Sequence, residues 1–161
     1  MKLRDLFGQG RTVFSCEVFP PKKSAPIDSI YQTLDGLKDI QFDFISVTYG
    51  AGGSSNINQS TSEIAALIEN KYHIPAMAHL TCVAAGREDA DRILAGLKGA
   101  GVENVLALRG DVNPDYPPKT DFKYASELVA YIREKEPLAS PPPATPRGTW
   151  KAQTWSATSA T

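Results

Sequence analysis

Four short apolar runs, each closed by polar residues, most constrain what this chain can fold into. Asn104-Val105-Leu106-Ala107 closes in Leu108-Arg109-Gly110-Asp111. Val13-Phe14-Ser15-Cys16 closes in Glu17, followed by Val18-Phe19-Pro20-Pro21. Phe44-Ile45-Ser46-Val47 closes in Thr48-Tyr49-Gly50-Ala51, and Ala76-Met77-Ala78 in His79-Leu80-Thr81-Cys82. Short β-branched or apolar runs of this kind read as strands buried on both faces, here near 13–18, 44–48, 76–81 and 104–109. If they run parallel, all four polar clusters fall at one end of one sheet. That is the end at which α/β barrels build active sites.

Between the runs lie amphipathic stretches. Ile27, Ile30, Tyr31, Leu34 and Leu37 recur at helical spacing, as do Ile64, Leu67 and Ile68. Ile93, Leu94 and Leu97 follow, with Gly99-Ala100-Gly101 as a stop signal. A fourth helix is predicted near 124–134, with Leu128, Val129 and Ile132 on one face. The alternation of strand and helix predicts a parallel sheet covered by helices. The strands recur about every 30 residues, the spacing of βα units in an eight-fold barrel of about 250 residues. The expected fold is therefore α/β, a partial (β/α)8 TIM barrel made of its first four βα units. An open doubly wound sheet is the alternative. Against it, the first strand-to-helix turn lacks the G-x-G-x-x-G phosphate fingerprint.

Composition narrows the function class. With 42% hydrophobic and 22% charged residues, the 161-residue chain matches an ordinary globular domain. Its formal net charge of -1 gives no electrostatic case for nucleic acid or an anionic membrane. The start, Met1-Lys2-Leu3-Arg4-Asp5-Leu6-Phe7, is too short and too charged for a signal peptide. No apolar run approaches the roughly 20 residues needed to span a bilayer. Cys16 and Cys82 close apolar runs and read as reduced thiols, so a cytoplasmic location is expected. His73 and His79 show no metal-ligand spacing, and no metal is expected.

Individual residues each support two readings. Alternation puts Val13, Ser15 and Glu17 on one side of the first strand, and Phe14, Cys16 and Val18 on the other. Apolar neighbours disfavour the charged form of a carboxyl group, which suits Glu17 to general-acid work. A salt-bridged glutamate at a strand end is the competing reading. Asp111 after Arg109-Gly110 is either a ligand-facing carboxylate or part of a plain turn before Asn113-Pro114. Thr48-Tyr49-Gly50-Ala51-Gly52-Gly53 is a strand-to-helix loop whose amides could meet a ligand, or again a turn. His79 on an apolar strand reads more simply as a satisfied core histidine. Lys22 and Lys23 read as solvated.

Taken together and in order, these blocks resemble one family. Phe14-Ser15-Cys16-Glu17-Val18-Phe19-Pro20-Pro21, Ser46-Val47-Thr48-Tyr49-Gly50-Ala51, His79-Leu80-Thr81-Cys82 and Ala107-Leu108-Arg109-Gly110-Asp111 are similar to the signature blocks of 5,10-methylenetetrahydrofolate reductases. Tyr124-Ala125-Ser126-Glu127-Leu128-Val129 adds a fifth. The resemblance runs from about residue 10 to about residue 136. It implies a (β/α)8 barrel carrying non-covalent FAD. Such an enzyme uses NADH or NADPH to reduce 5,10-methylenetetrahydrofolate to 5-methyltetrahydrofolate. It further implies that Glu17 and Asp111 are catalytic. Glu17 would be the general acid that helps open the five-membered folate ring to an iminium, and Asp111 a carboxylate near flavin and pterin. Thr48, Tyr49, Ala51, His79, Arg109, Gly110, Asp111, Tyr124 and Ala125 match positions that contact FAD. The implied partner is a folate substrate, with self-association left open. In such a site the flavin carries the hydride chemistry and the protein supplies placement and charge.

The chain departs from that family after the fourth helix. The family continues with a fifth strand and a Tyr-Pro-Glu-x-His stretch. Here Pro137–Pro146 holds five prolines in ten residues, and no acidic residue follows Glu136. Proline removes ladder donors, so this segment cannot form an interior strand. Residues 1–136 are expected to be the N-terminal half of a reductase-like barrel. Residues 137–161 are expected to be a disordered, non-homologous Pro/Ser/Thr/Ala-rich tail arising from a shifted reading frame. A half barrel leaves two rival readings open: a catalytically inactive fragment, or a flavin- or folate-binding module without turnover.

Overall fold

The structure, a computed structural model, describes residues 1–21, 28–49, 55–83, 85–112 and 118–135. The expected tail and Ala51 lie outside the described residues. A 3-10 turn at Leu3–Leu6 precedes four βα units. These are β1 (Ser15–Val18), α1 (Asp28–Leu37), β2 (Phe44–Val47), α2 (Ser55–Lys71), β3 (Ala76–Thr81), α3 (Arg87–Gly99), β4 (Asn104–Leu108) and α4 (Ala125–Lys135). The strands pair in the order β1-β2-β3-β4, every pair parallel. A doubly wound sheet needs a point where strand order reverses, and the described strands have none. Each crossover helix instead steps the chain onward in one direction, as in a barrel wall.

One side of the sheet packs on the helices. Val18, Ile45, Val47, Ala76, Ala78 and Leu80 alternate along the strands to form the sheet half of this core. Ile30 and Leu34 of α1, Ile64 and Ile68 of α2, Ile93 and Leu97 of α3, and Leu128 of α4 form the helix half. These are the residues whose helical spacing marks the amphipathic faces. Each fully buried Ile or Leu stabilises by about 1.5–3 kcal/mol relative to exposure.

The helix ends follow their local chemistry. Gly101 ends α3 at φ +80, with its N–H on the Lys98 carbonyl at 3.0 Å and the Val102 N–H on the Leu97 carbonyl at 2.9 Å. This paired pattern, with buried Val102 and Leu97 in the same core, is a Schellman stop, and only glycine adopts that φ without strain. At the other end of α3, the Asp89 carboxylate accepts the Gly86 N–H at 3.2 Å. Glu127 caps α4 in the same way, accepting the Lys123 N–H at 2.6 Å.

Among the described residues, a small hydrophobic cluster closes the inner side of the sheet at its N-terminal end. Leu3 and Leu6 of the 3-10 turn cover Phe44, with Val13 and Met77 packed alongside. Asn104 ties this plug down: its Oδ1 accepts the Leu3 N–H at 2.9 Å, and its Nδ2 donates to the Met1 carbonyl at 3.0 Å.

Burial on both faces holds for β2 and nearly so for β3, but not for the outer strands. Along β1 only Val18 is buried, and β4 is half-buried throughout. Among the described residues each has one neighbouring strand. Phe14 and Phe19, flanking β1, are 55% and 67% exposed. Phe14 finds a partial partner by stacking on Phe42 at 5.4 Å.

Candidate active site

The parallel register delivers a polar cluster to the inner face near the C-terminal strand ends. Glu17 of β1 pairs with Ser46 of β2, and Ser46 with Met77 of β3. His79 therefore stands one pleat nearer the C-terminal rim on the same inner face. The Glu17 side chain spans that step: its Oε2 lies 3.5 Å from His79 Nε2. Ser46 Oγ donates to the same Oε2 at 3.4 Å, with the Cys16 carbonyl at 3.5 Å as its other acceptor.

The two partners differ sharply in environment. His79 is 8% exposed, whereas the Glu17 side chain is 45% exposed. The expected apolar setting of Glu17 is thus corrected to one polar wall and open solvent, because β1 is an edge strand. Burial pushes the His79 imidazole below the ordinary histidine value, and the Glu17 carboxylate pulls it the other way with less effect. His79 is therefore neutral at physiological pH, and the 3.5 Å contact is not an ion pair there. Its Nε2 is buried and makes no hydrogen bond among the described residues.

Beyond the cluster, the C-terminal rim is stitched together by backbone bonds. The Thr48 N–H reaches the Val18 carbonyl at 3.0 Å, and the Cys82 and Val83 N–H groups reach Leu108 and Arg109 at 2.9 Å each. Thr61 Oγ1 of α2 donates to the Thr48 carbonyl at 3.0 Å and anchors that strand end. Thr48 and Tyr49 are half-buried, and Ala125 is half-buried at the start of α4. Arg109, Asp111 and Tyr124 stand exposed. Gly110 adopts φ +79, and a Cβ there would meet Thr81 Cβ and Val83 Cγ1 at 2.9 Å. Glycine lets the end of β4 lie directly against the end of β3.

Cys16 and Cys82 are free thiols, and burial pushes both up. A shallow groove of about 540 Å³ lies elsewhere, between α3 and α4, lined by Arg87, Asp121, Phe122, Tyr131 and Glu134. The Arg87 guanidinium stacks over Phe122 and Tyr131 there. That groove does not touch the strand ends.

Sequence reasoning picked out Glu17, His79 and the rim residues but passed over Ser46. The signal was present: Ser46 is the one polar residue of β2, and alternation puts it on the inner side with Phe44. Only the register shows that it faces Glu17.

Comparison with known proteins agrees with these blocks. The family model described as Methylenetetrahydrofolate reductase matches residues 2–143. The chain is 37% identical over 143 residues to "Probable methylenetetrahydrofolate reductase (NADH)" of Oryza sativa subsp. japonica, covering 83% of this chain and 23% of that protein. It is 36% identical over 127 residues to "Methylenetetrahydrofolate reductase 1" of Schizosaccharomyces pombe, covering 76% and 21%. Against "5,10-methylenetetrahydrofolate reductase" of Escherichia coli it is 33% identical over 126 residues, covering 78% and 41%. The chain thus spans less than half the length of these relatives. Four parallel βα units, polar residues gathered at the strand ends, and a match over most of its length make this chain a member of the methylenetetrahydrofolate reductase family.

Proposed function

We propose that this chain carries the acid-bearing half of a flavin-dependent reductase. In this reading it acts on 5,10-methylenetetrahydrofolate with NADH or NADPH as electron donor, in the cytoplasm. The observation that carries the reading is the Glu17–Ser46–His79 cluster, set on the inner face of a parallel sheet within the family's own blocks. No described helix is long and apolar enough to cross a membrane.

The residues present fit one wall of a flavin site. Buried His79 turns a hydrogen-bonding nitrogen to the inner face, and the rim carries half-buried Thr48 and Tyr49 beside exposed Arg109 and Tyr124. When bound, FAD supplies the hydride transfer between nicotinamide and folate. The chain's own residues do the rest. Arg109 offers a planar, permanently charged fork for an anionic group. Gly110 allows close backbone approach at the end of β4. Thr48, Tyr49, His79, Tyr124 and Ala125 line the cofactor's wall, as would Ala51, which lies outside the described residues. Asp111 is exposed at the rim after β4, where its carboxylate would face flavin and pterin. Glu17 donates a proton to a substrate nitrogen as the folate ring opens: the O–H bond breaks, an N–H bond forms, and the electron pair stays on the carboxyl group.

Glu17→Gln tests the assignment by separating two half-reactions. Flavin reduction by NADH or NADPH stays intact, while folate reduction falls by about 10²–10⁴-fold, the range of general-acid catalysis. Equal loss of both half-reactions removes Glu17 from the acid role.

A second reading has its own observation. The open edges of β1 and β4, with Phe14 and Phe19 exposed, favour a fragment without turnover. Gel filtration of the chain with FAD separates the readings. Retained flavin that NADH or NADPH bleaches supports the reductase. Retained flavin that neither bleaches supports a binding module, and no retained flavin supports the fragment. In this proposal residues 1–136 form the barrel portion and 137–161 a frame-shifted tail. A DNA read from the Lys135 codon onward decides that: a restored base that opens the rest of a barrel supports it, and no barrel in any frame refutes it.

A further inference from the structure

Two side chains address the same oxygen of Glu17. Ser46 Oγ lies 3.4 Å from Oε2 and donates to it, and His79 Nε2 lies 3.5 Å from that same Oε2. Ser46 is 6% exposed and His79 8%, so both are held by the sheet. Glu17, on the open edge strand, is not held that way: its side chain is 45% exposed. A half-exposed glutamate has free rotamers unless something fixes its head group. We propose that His79 and Ser46 are positioning residues that hold Glu17 by Oε2, leaving Oε1 as the atom that carries and delivers the proton.

This deepens the reading of Glu17 as proton donor and rests on it. In the acid form that donates, Oε1 bears the proton and Oε2 is the carbonyl oxygen. The neutral imidazole presents Nε2–H to Oε2 beside the Ser46 hydroxyl, and a small rotation of the exposed Glu17 closes the 3.5 Å approach to a hydrogen bond. When Oε1–H gives its proton to a substrate nitrogen, negative charge develops on the carboxyl group. The two donors on Oε2 then bind a carboxylate, and such charge-assisted bonds are roughly twice as strong as neutral ones. They are therefore worth more after the transfer than before it, which is the condition for accelerating the step.

The neutrality of His79 matters to this arrangement. An imidazolium at that place would pair with Glu17 and hold it as a carboxylate, unable to donate. Burial of His79 opposes that charge. From β1, Glu17 faces His79. From β2, the nearby polar group is the Ser46 hydroxyl, and β4 sets Leu106 opposite. Among the described residues Glu17 is the one charge that acts on the imidazole.

The test needs neither flavin nor folate, because the chain has only two histidines. Imidazole resonances of the full 161-residue chain are followed against pH, and the nitrogen shifts report the tautomer. His79 is expected to titrate below the ordinary histidine value, as the Nε2–H tautomer. In Glu17→Gln its midpoint moves lower still, since the charge favouring imidazolium is gone. Glu17→Asp, which keeps the charge but shortens its reach, gives an intermediate midpoint. An unchanged His79 midpoint in both variants overturns the proposal. So does the Nδ1–H tautomer, or a wild-type His79 that titrates at the ordinary histidine value. Failure here leaves the half-reaction result for Glu17 standing. Folate reduction that survives Glu17→Gln sinks the acid role itself, whatever His79 does.

Discussion

On the helix side of the sheet, Ile45, Val47, Ala78 and Leu80 are each 0–1% exposed and belong to one continuous hydrophobic core. On the inner side, one residue along in the same strands, stand Glu17, Ser46, His79 and Thr81. The first face is complete within four βα units, because each strand brings its own covering helix. The second, among the described residues, is finished at its N-terminal end, where Leu3 and Leu6 plug it. Stability in this chain is therefore built from short-range units, and the site depends on whatever stands across the inner face.

If the outer face holds the fold, Leu80→Ala has the largest effect. It removes a fully buried side chain that cannot be replaced by local collapse, and is expected to cost about 2–5 kcal/mol. Urea denaturation measures this, and a loss below about 1 kcal/mol, under that range, breaks the comparison. Gly110→Ala comes next and probes the join between the faces. The φ of +79 and the 2.9 Å approach to Thr81 and Val83 act together. About 2–3 kcal/mol is expected from strain plus overpacking. A melting temperature equal to wild type shows that the two strand ends are not pressed together.

The smallest effect is on the inner face and depends on pH. Burial lowers the folded-state value of His79 below the ordinary 6.5. Above that value neither state binds the proton, and this contribution is complete. As the pH falls through it, the unfolded chain takes the proton first, so stability is lost progressively down to the folded-state value. Denaturation midpoints at about pH 7 and about pH 5 should diverge more in wild type than in His79→Gln. Equal divergence in both proteins shows that the imidazole is not buried.

Much of this was legible before any coordinates. Strand and helix order, the α3 stop at Gly101 and the outer faces of the helices follow from periodicity and from glycine's freedom at φ +80. The clustering of Glu17, His79 and Arg109 toward strand C-termini follows once the strands are parallel. Less legible was the environment of Glu17. Its flanking residues are apolar, but they belong to its own strand, whereas its side-chain contacts come from β2 and β3. The exposure of β1 was hidden for the same reason: Val13–Val18 reads like a central strand, and its edge position is a property of the sheet.

Local pattern thus set which residues alternate to which face, where helices stop, and that polar groups would end each strand. Those are properties of one segment at a time, dictated by a period of about two in strands and 3.6 in helices. Register, edge and plug were decided by the assembled sheet. The meeting of Glu17 with His79 across two strands, the recruitment of Ser46, and the clamping of Leu3 by Asn104 each join residues that no local period connects. Such contacts exist only where parallel strands are staggered by packing, because inter-strand alignment is an energy of the whole sheet and of no single segment.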